Sequence, residues 1–246
     1  MGDSIVLFYA LLFIVAGLYA SVGHGGASGY LALMAIFAFS PAVMKPTALL
    51  LNLFVSSVSF IQFYRGGFFK WKIFLPFAVA SIPLSFLGGT ITIDSLIYKK
   101  VLGILLLIPV VRFFFFKNAD PKDLKLPGTA LSLVIGGVIG FLSGMIGIGG
   151  GIILSPLLLL LRWTDQKGTA AISAAFIFVN SVAGLAGQLT RGIHFTADMF
   201  GYVAVAFAGG LLGAYFGARR FPATALKNVL ACVLALAAYK LLFTYA

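Results

Sequence analysis

Glycine-rich stretches interrupt the apolar sequence twice: Gly23–Gly29 reads Gly-His-Gly-Gly-Ala-Ser-Gly, and Gly147–Gly151 reads Gly-Ile-Gly-Gly-Gly. Each stretch lies between a long apolar run and a short one. Because glycine weakens a helix and leaves its backbone uncovered, such a cluster in membrane-grade sequence predicts a broken membrane helix. Two breaks at corresponding places in two chain halves are typical of a transport site near the middle of a membrane.

The composition places the 246-residue chain in a membrane. Hydrophobic residues make up 61% of it and charged residues 9%, which is too little charge to build a water-facing surface. Met1–Ser4 lacks the basic segment of a signal peptide, so we expect the first apolar run to remain as a membrane helix. The net charge of +11 comes from Lys and Arg in short loops. Such residues orient a membrane protein, and we expect no nucleic-acid partner.

Apolar runs along the chain predict an all-α, polytopic membrane fold. Most have the roughly 20 residues that a helix needs to cross a hydrocarbon core of about 30 Å. Two are much shorter, and at about 1.5 Å per residue they reach only about halfway, so we expect half-helices over 28–39 and 152–161. The remaining runs cover residues 5–22, 47–64, 73–93, 99–116, 128–146, 168–190, 199–218 and 225–244.

The positions of the 17 Lys and Arg residues favour a hairpin at each break. If each short run continued its long partner across the membrane, the basic residues would divide 9 to 8 between the two sides. If each short run turns back, the division is 12 to 5, and since basic loops stay cytoplasmic, we expect both termini outside the cytoplasm. A hairpin plus three crossings is an odd number, so the second half is expected to be inverted. The side with five basic residues then holds Lys45, Lys99, Lys100, Arg191 and Lys240.

A faint internal repeat supports this division. A shift of 126 aligns Gln62–Gly66 with Gln188–Gly192, a shift of 125 aligns Leu87-Gly88 with Leu212-Gly213, and a shift of 124 aligns the two breaks. We expect two inverted-topology repeats, each a broken or re-entrant helix hairpin plus three transmembrane helices. The first repeat covers 1–117, a cytoplasmic linker covers 118–127, and the second repeat covers 128–246.

Three segments carry a resemblance to a known family over nearly the whole chain: Gly17–Tyr30, Gly140–Gly151 with Pro156 beyond it, and the segment from Lys167 to Asn180. On these segments the chain resembles the sulfite exporter TauE/SafE family of membrane transporters. The second-half motif is specific, whereas the first is a variant with His24 and Ala27 in the glycine run. The resemblance implies transport of a small sulfur oxyanion or organosulfonate across the bacterial cytoplasmic membrane. It decides neither the anion nor the direction.

The residues themselves also favour an anion. The N-terminus of a helix carries N–H groups without partners and about half a positive charge, and glycine lets an oxyanion reach that backbone. We expect the two half-helix N-termini to face one another, with neutral donors from the following helices. The alternative to an anion site is a structural role for these residues. The glycines would then allow close helix packing, and the polar side chains would form hydrogen bonds between helices. The predicted substrate-binding residues are His24, Gly25, Gly26, Ala27, Ser28, Asn52, Ser56, Gly149, Gly150, Gly151, Asn180 and Ser181.

His24 is the only titratable side chain that this arrangement puts deep in the membrane, since the chain has no Glu and its six Asp lie at helix ends or in loops. A protonated His24 would attract the anion and couple its movement to a proton, whereas a neutral one would hydrogen-bond the broken backbone. Transport by a His24→Gln variant at several pH values separates the two roles. An unchanged pH profile would exclude the coupling role.

Other features have simpler interpretations. Glycines at every fourth residue, Gly136 to Gly144 and Gly209 to Gly217, predict close helix packing. Arg65 and Arg191, each about one turn from a glutamine, either funnel anions at opposite mouths or anchor helix ends at the interface.

Two other functions are alternatives to a carrier. Gly26–Gly29 resembles the nucleophile motif of rhomboid intramembrane proteases. The predicted topology puts the candidate base His194 in an outer loop, where we do not expect it to reach Ser28. A passive anion channel is the second alternative. We expect no enzyme activity, cofactor or metal site, and the lone Cys232 excludes an internal disulfide. The oligomeric state stays open, a homodimer included.

Overall fold

The computed structural model describes residues 2–21, 26–115, 124–193, 195–217 and 234–244, and within these ranges the chain is helical and contains no strand. The helices in chain order are α1 (Gly2–Ser21), α2 (Ala27–Ile36), α3 (Pro41–Arg65), α4 (Trp71–Thr90), α5 (Ser95–Phe115), α6 (Thr129–Ile146), α7 (Gly151–Leu160), α8 (Gln166–Leu189), α9 (Ala197–Gly217) and α10 (Leu234–Phe243), which continues into a π-helical turn over Lys240–Thr244.

Four of the described helices are long and apolar enough to cross a membrane: α3, α4 over Trp71–Gly89, α6 and α8. Shorter apolar helices accompany them, α2 and α7 among them. Large apolar side chains point outward along α4, where Leu75, Val79 and Phe86 are exposed. A surface of this kind suits lipid rather than water, so the expectation of an all-helical, multi-pass membrane protein is confirmed.

One predicted helix start was wrong. The run that was expected to begin at residue 47 begins at Pro41, after Ser40 as the N-cap residue. The polar Lys45 and the proline Pro46 interrupt the apolar pattern and hid this first part of the helix. Pro41 suits the first helical position because its missing N–H has no helical acceptor there, and α3 continues through Pro46 within the packed bundle.

The first break turns the chain back on itself. The hydroxyls of Tyr19, near the end of α1, and Ser28, near the start of α2, lie 2.8 Å apart. At the other end, the ring of Phe8 in α1 stacks at 5.0 Å on Phe39, just after α2. The short helix therefore returns to the level at which α1 begins, and α3 starts from there.

The second break has the same course. Lys125 N, shortly before α6, donates to Arg162 O, shortly after α7, at 2.8 Å. Phe77 of α4 contacts both Gly136 in the first half of α6 and Trp163 after α7. The end of α7 therefore lies beside the beginning of α6, and each half of the chain contains a hairpin with a ten-residue second arm.

Glycines set closely packed helix pairs. A Cβ on Gly136, Gly140 or Gly144 of α6 would collide in turn with the backbone of Phe77, Ser81 and Ser85, so α4 and α6 run parallel. The predicted packing role of these glycines is confirmed. The same holds for α1 and α9, where Gly209 packs on Phe13 and Gly213 on Gly17.

These two pairs would correspond to each other under the predicted internal repeat. In that repeat α1 corresponds to α6 and α4 corresponds to α9, so the pair of α1 and α9 corresponds to the pair of α6 and α4. The match extends to residues: Gly88 packs on Phe141, and Gly213 packs on Gly17. The two contacts are related by shifts of 125 and 124, the shifts that the sequence repeat gave.

The centre of the bundle is the crossing of α3 and α8, and α8 is the more buried of the two. Asn52 of α3 contacts Ser181, while Leu49, one turn earlier, contacts Gly184, so the two helices run antiparallel. Helix α4 runs parallel to α8, because Ser85 Oγ donates to Asn180 O at 2.8 Å and Gly89 packs on Gly184. Both breaks join helices that border this crossing.

Candidate functional site

The second break is built from glycines in a left-handed backbone conformation. Gly147, Gly149 and Gly150 have φ angles of 90°, 75° and 81°, which L residues with a side chain rarely adopt. The first bonds of α7 are donated by Ile153 and Leu154 to Gly150 O, at 3.1 and 3.0 Å. The N–H groups of Gly151 and Ile152, which come before them, have no acceptor within the helix. This is the backbone arrangement expected at an oxyanion site.

The middle glycine of this break faces two side chains of the central crossing. A Cβ on Gly149 would lie 2.6 Å from Asn52 Nδ2, 2.9 Å from Ile177 and 3.3 Å from Ser181 Oγ. Asn52 Nδ2 itself donates to Ser181 Oγ over a long 3.4 Å. The structure thus brings together three of the predicted residues, Asn52, Gly149 and Ser181, from segments far apart in the chain.

Several polar atoms beside the break are buried without a partner. Asn52 Oδ1 and Ser56 Oγ have no hydrogen bond to any part of the chain that the structure describes, although both residues are fully buried. Such a group costs about 1–3 kcal/mol when it stays unsatisfied, and it calls for a missing water, ion or ligand. The polar crossing therefore has unused capacity to bind a polar guest.

A polar stripe on α3 was only partly recognised from the sequence. Asn52, Ser56 and Ser59 share one face of the helix, with Lys45 two turns before Asn52 on the same face. Ser59 Oγ is also buried and, within the described ranges, without a partner. Its position three residues after Ser56 was the available signal, since residues three and four apart lie on one face.

The predicted residues on α8 and α7 divide between different neighbours. Asn180 Nδ2 donates to Phe176 O within its own helix at 2.8 Å, so only its Oδ1 is left without a described partner. Gly150 packs against Phe176 and Gly151 against Ile177. Ser181 is the predicted side chain of α8 that reaches the break directly.

The first break is described only from Gly26 onward, and the predicted residues His24 and Gly25 lie outside the described residues. Gly26 is the N-cap of α2 with φ 86°, matching Gly150 before α7. Ala27 and Ser28 are buried, and the Ser28 hydroxyl is paired with Tyr19. In Gly26, Ala27 and Ser28, the donors available to a ligand are therefore backbone N–H groups rather than the serine hydroxyl.

Tyr30 is a residue beside this break that the sequence reading missed. Its hydroxyl occupies the space that a Cβ on Gly26 would need, 2.5 Å away. The residue is fully buried, and its hydroxyl has no partner among the residues whose placement is described. Its position, four residues into an apolar half-helix, gave no sign of this, because an aromatic residue there normally indicates core packing.

Comparisons with known proteins agree with the resemblance seen in the sequence. A model of the family described as sulfite exporter TauE/SafE matches residues 8–241. A protein of Sinorhizobium fredii with the name "Probable membrane transporter protein y4hK" is 37% identical over 235 residues, which cover 94% of this chain and 95% of that protein. No solved structure matches the chain.

More distant relatives carry the same kind of name. A probable membrane transporter protein of Methanocaldococcus jannaschii is 31% identical over 164 residues, 64% of this chain and 61% of that protein. The probable membrane transporter protein YunE of Bacillus subtilis is 25% identical over 224 residues, 83% of this chain and 82% of that protein. The predicted resemblance is confirmed. With the family model covering nearly all of its length, the chain belongs to the sulfite exporter TauE/SafE family.

Proposed function

We propose that the chain carries a small sulfur-containing anion, such as sulfite or an organosulfonate, across the cell membrane by alternating access. Membrane transport follows from the family and from the relatives named as membrane transporters. The anion would bind near the middle of the membrane at the N-termini of α2 and α7. The observation that carries the proposal is the contact of Gly149 with the buried, incompletely paired Asn52 at the central crossing.

The chemistry of this crossing suits an oxyanion. The N–H groups of Gly151 and Ile152 supply donors along a helix axis whose N-terminus is electropositive. Ser56 adds a hydroxyl, and a half-turn of the Asn52 amide would exchange its unpaired oxygen for a donor. None of these groups carries a formal charge, so the anion would be held by directed hydrogen bonds and released without separating an ion pair.

An inverted relation between the halves is part of the proposal, and helix directions support it. Helix α1 begins beside the start of α3 and is therefore parallel to α3, which is antiparallel to α8. Helix α6 is parallel to α4 and hence to α8. Corresponding helices of the two proposed repeats, 1–117 and 128–246, would then enter the membrane from opposite sides, as in many alternating-access carriers.

The grouping of basic residues supports the proposed orientation, with both termini outside the cytoplasm. Lys45 and Arg191 line one cavity, although a continuous crossing at each break would put them on opposite sides. Lys125 and Arg162 meet through their backbones, and the same continuous arrangement would separate them. The hairpin arrangement keeps both pairs together and leaves twelve of the seventeen basic residues on the side proposed as cytoplasmic.

A carrier is favoured over a passive channel because the proposed site is closed. Asn52 and Ser181 are fully buried, and Gly149 packs directly on both of them. A protease is not proposed, since the Ser28 hydroxyl is paired with Tyr19 and the relatives are named as transporters.

The proposal is tested by flux in proteoliposomes that contain the purified chain. The panel consists of sulfite, sulfate, thiosulfate, sulfoacetate and small carboxylates, with empty liposomes as the control. Saturable flux of at least one sulfur anion is expected, at a rate above that of the carboxylates. Flux of divalent cations with none of these anions would overturn the proposal, and flux that rises linearly with concentration would favour a channel.

The neighbouring serines Ser56 and Ser57 give a matched pair for the site. Ser56→Ala is expected to lower the apparent affinity for the transported anion about tenfold, because it removes a hydroxyl with no other described partner. The fold should be unharmed, since no hydrogen bond among the described residues is lost. The measurement is the KM of flux together with the melting temperature in detergent.

Ser57→Ala is the control, because the Ser57 hydroxyl donates to Phe54 O at 2.8 Å within its own helix. It should leave the KM unchanged. Equal KM values for both variants and the unaltered chain would exclude Ser56 from the site.

A further inference from the structure

A cavity of about 310 Å³ opens at the end of the molecule where α3 begins and α8 ends. We call it the basic vestibule. Lys45 lines it from α3, and Gln188 and Arg191 line it from the end of α8. The predicted substrate-binding residues are not among those that line it, so it is a separate space from the break.

Lys45, Gln188 and Arg191 supply hydrogen-bond donors to the basic vestibule. Gln188 is only 5% exposed, and its Nε2 has no partner within the described part of the chain. The Arg191 guanidinium is held in place by one bond, from Nη1 to Thr90 O at 3.1 Å. Lys45 Nζ lies 4.9 Å from the centre of the Tyr98 ring. No carboxylate is among the described residues that line the cavity.

Two like charges beside a shared cavity repel each other unless an anion lies between them. A buried amide without a partner adds a directed donor to the same space. An oxyanion with several acceptor oxygens satisfies both requirements, whereas a cation or an apolar molecule satisfies neither. The donor set therefore selects the chemical class of the guest.

The basic vestibule adjoins the second break. The Cα and carbonyl oxygen of Lys45 lie 3.1 Å from where a Cβ on Gly147 would be. Tyr98, under the Lys45 ammonium, donates its hydroxyl to Ile146 O, the last residue of α6, at 3.1 Å. Lys45 lies on the same face of α3 as Asn52, about 10 Å away along the helix. An anion in the vestibule is thus one short step from the proposed transport site.

The residues that align with this set in the first half differ from it. The aligned residues Gln62 and Arg65 are exposed on α3, and the position aligned with Lys45 at a shift of 125 is Ala170. The two glutamines therefore differ in environment, since Gln188 is buried and Gln62 is exposed.

We propose that the basic vestibule is a second anion-binding site, which captures an oxyanion such as a sulfate or sulfonate group before it reaches the break. The onward step rests on the proposed transport function, whereas the binding itself does not. An anionic lipid headgroup offers the same phosphate-type chemistry, so the test has to separate a free anion from a lipid.

The test places a cysteine at Ser95, an exposed residue that lines the cavity, in the full chain with Cys232→Ser. In nanodiscs of zwitterionic lipid, a sulfonate-bearing methanethiosulfonate should react about tenfold faster than its trimethylammonium counterpart, because two cations attract one and repel the other. Sodium sulfate should slow the anionic reagent more than sodium chloride at equal ionic strength. Lys45→Gln with Arg191→Gln should abolish both effects.

Two controls keep the result interpretable. A cysteine at Thr196, exposed at the same end but outside the cavity, should not respond to the two substitutions. Lys45→Arg with Arg191→Lys keeps both charges and should retain the preference for the anionic reagent. A preference that survives the glutamine substitutions would overturn the proposal.

The lipid arm uses nanodiscs that contain phosphatidylglycerol without sulfate. Protection by this lipid, with none from sulfate in the zwitterionic discs, would overturn the assignment to a free anion. The reaction rates need no transport. A chain that is protected by sulfate but moves no sulfur anion in proteoliposomes would therefore contradict the proposed function and support the vestibule.

Discussion

Gly149→Ala is expected to reduce transport about 100-fold. The added methyl group would lie 2.6 Å from Asn52 Nδ2 and 2.9 Å from Ile177, closer than real Cβ contacts allow. Asn52, Ser181 and the backbone N–H groups would have to separate, and a displacement of about 1 Å at a site of directed hydrogen bonds can cost a factor of about 100. The measurement is the initial rate of flux in proteoliposomes for the best anion of the panel.

Gly67→Ala separates this collision from backbone strain. Gly67 has φ 75°, the same as Gly149, but nothing lies within 4 Å of its would-be Cβ. Both variants therefore carry the penalty of about 1–2 kcal/mol for a left-handed alanine, and only Gly149→Ala adds the clash. If Gly67→Ala lost as much transport as Gly149→Ala, strain would explain the effect and the site at Gly149 would lose its main support.

The breaks were predictable because their cause is local. Glycine clusters next to short apolar runs such as 152–161 alter the backbone wherever they occur, and the half-helices appear where the runs predicted them. The hairpin at each break could be predicted from the sequence for a different reason. Basic residues are distributed unequally between the two sides of a membrane, and their distribution favours a hairpin at each break. The contact of Lys125 with Arg162 supports the same arrangement.

The site was only partly predictable because its geometry depends on how α3 crosses α8. The sequence identifies Asn52 and Ser181 as polar residues in apolar helices, and the crossing brings them together at Gly149. The pairing of Ser28 with Tyr19 depends on the register of a hairpin, which the sequence does not encode locally. The meeting of the two half-helix N-termini stays a prediction.

The basic vestibule shows a further limit of sequence patterns. Lys45 was interpreted as a loop residue because it precedes the apolar run, although it lies on the first turns of α3. Once α3 begins at Pro41, Lys45 and Asn52 lie on the same face of one helix. An error of six residues in one helix start was therefore enough to hide a cavity that borders the break.

Gly144→Ala is expected to destabilise the bundle by about 3 kcal/mol. The added methyl group would collide with the carbonyl oxygen of Ser85 and lie 2.9 Å from Gly89 N. Both are backbone atoms, so α4 and α6 would have to move apart, and overpacking of this kind costs about 1–3 kcal/mol or more. Apolar lipid does not drive helices together as water does, so close contact between small residues carries much of the association. The measurement is the unfolding midpoint in detergent with added denaturant, followed by circular dichroism.

Gly137→Ala, on the same helix, is the matched control and should stabilise the bundle rather than destabilise it. The close contact of its Cβ would be with the end of the flexible Leu84 side chain, at 2.8 Å, and Ala80 Cβ would lie at an ordinary 3.8 Å. Leu84 can change rotamer, while alanine in place of glycine inside a helix gains up to about 1 kcal/mol. Equal destabilisation by both variants would mean that α6 tolerates no added volume anywhere, and that the backbone contact with Ser85 is not the determinant. Destabilisation by Gly144→Ala alone would locate the association of α4 and α6 in that contact, and the corresponding contact of Gly213 with Gly17 would then be expected to hold α1 and α9 in the same way.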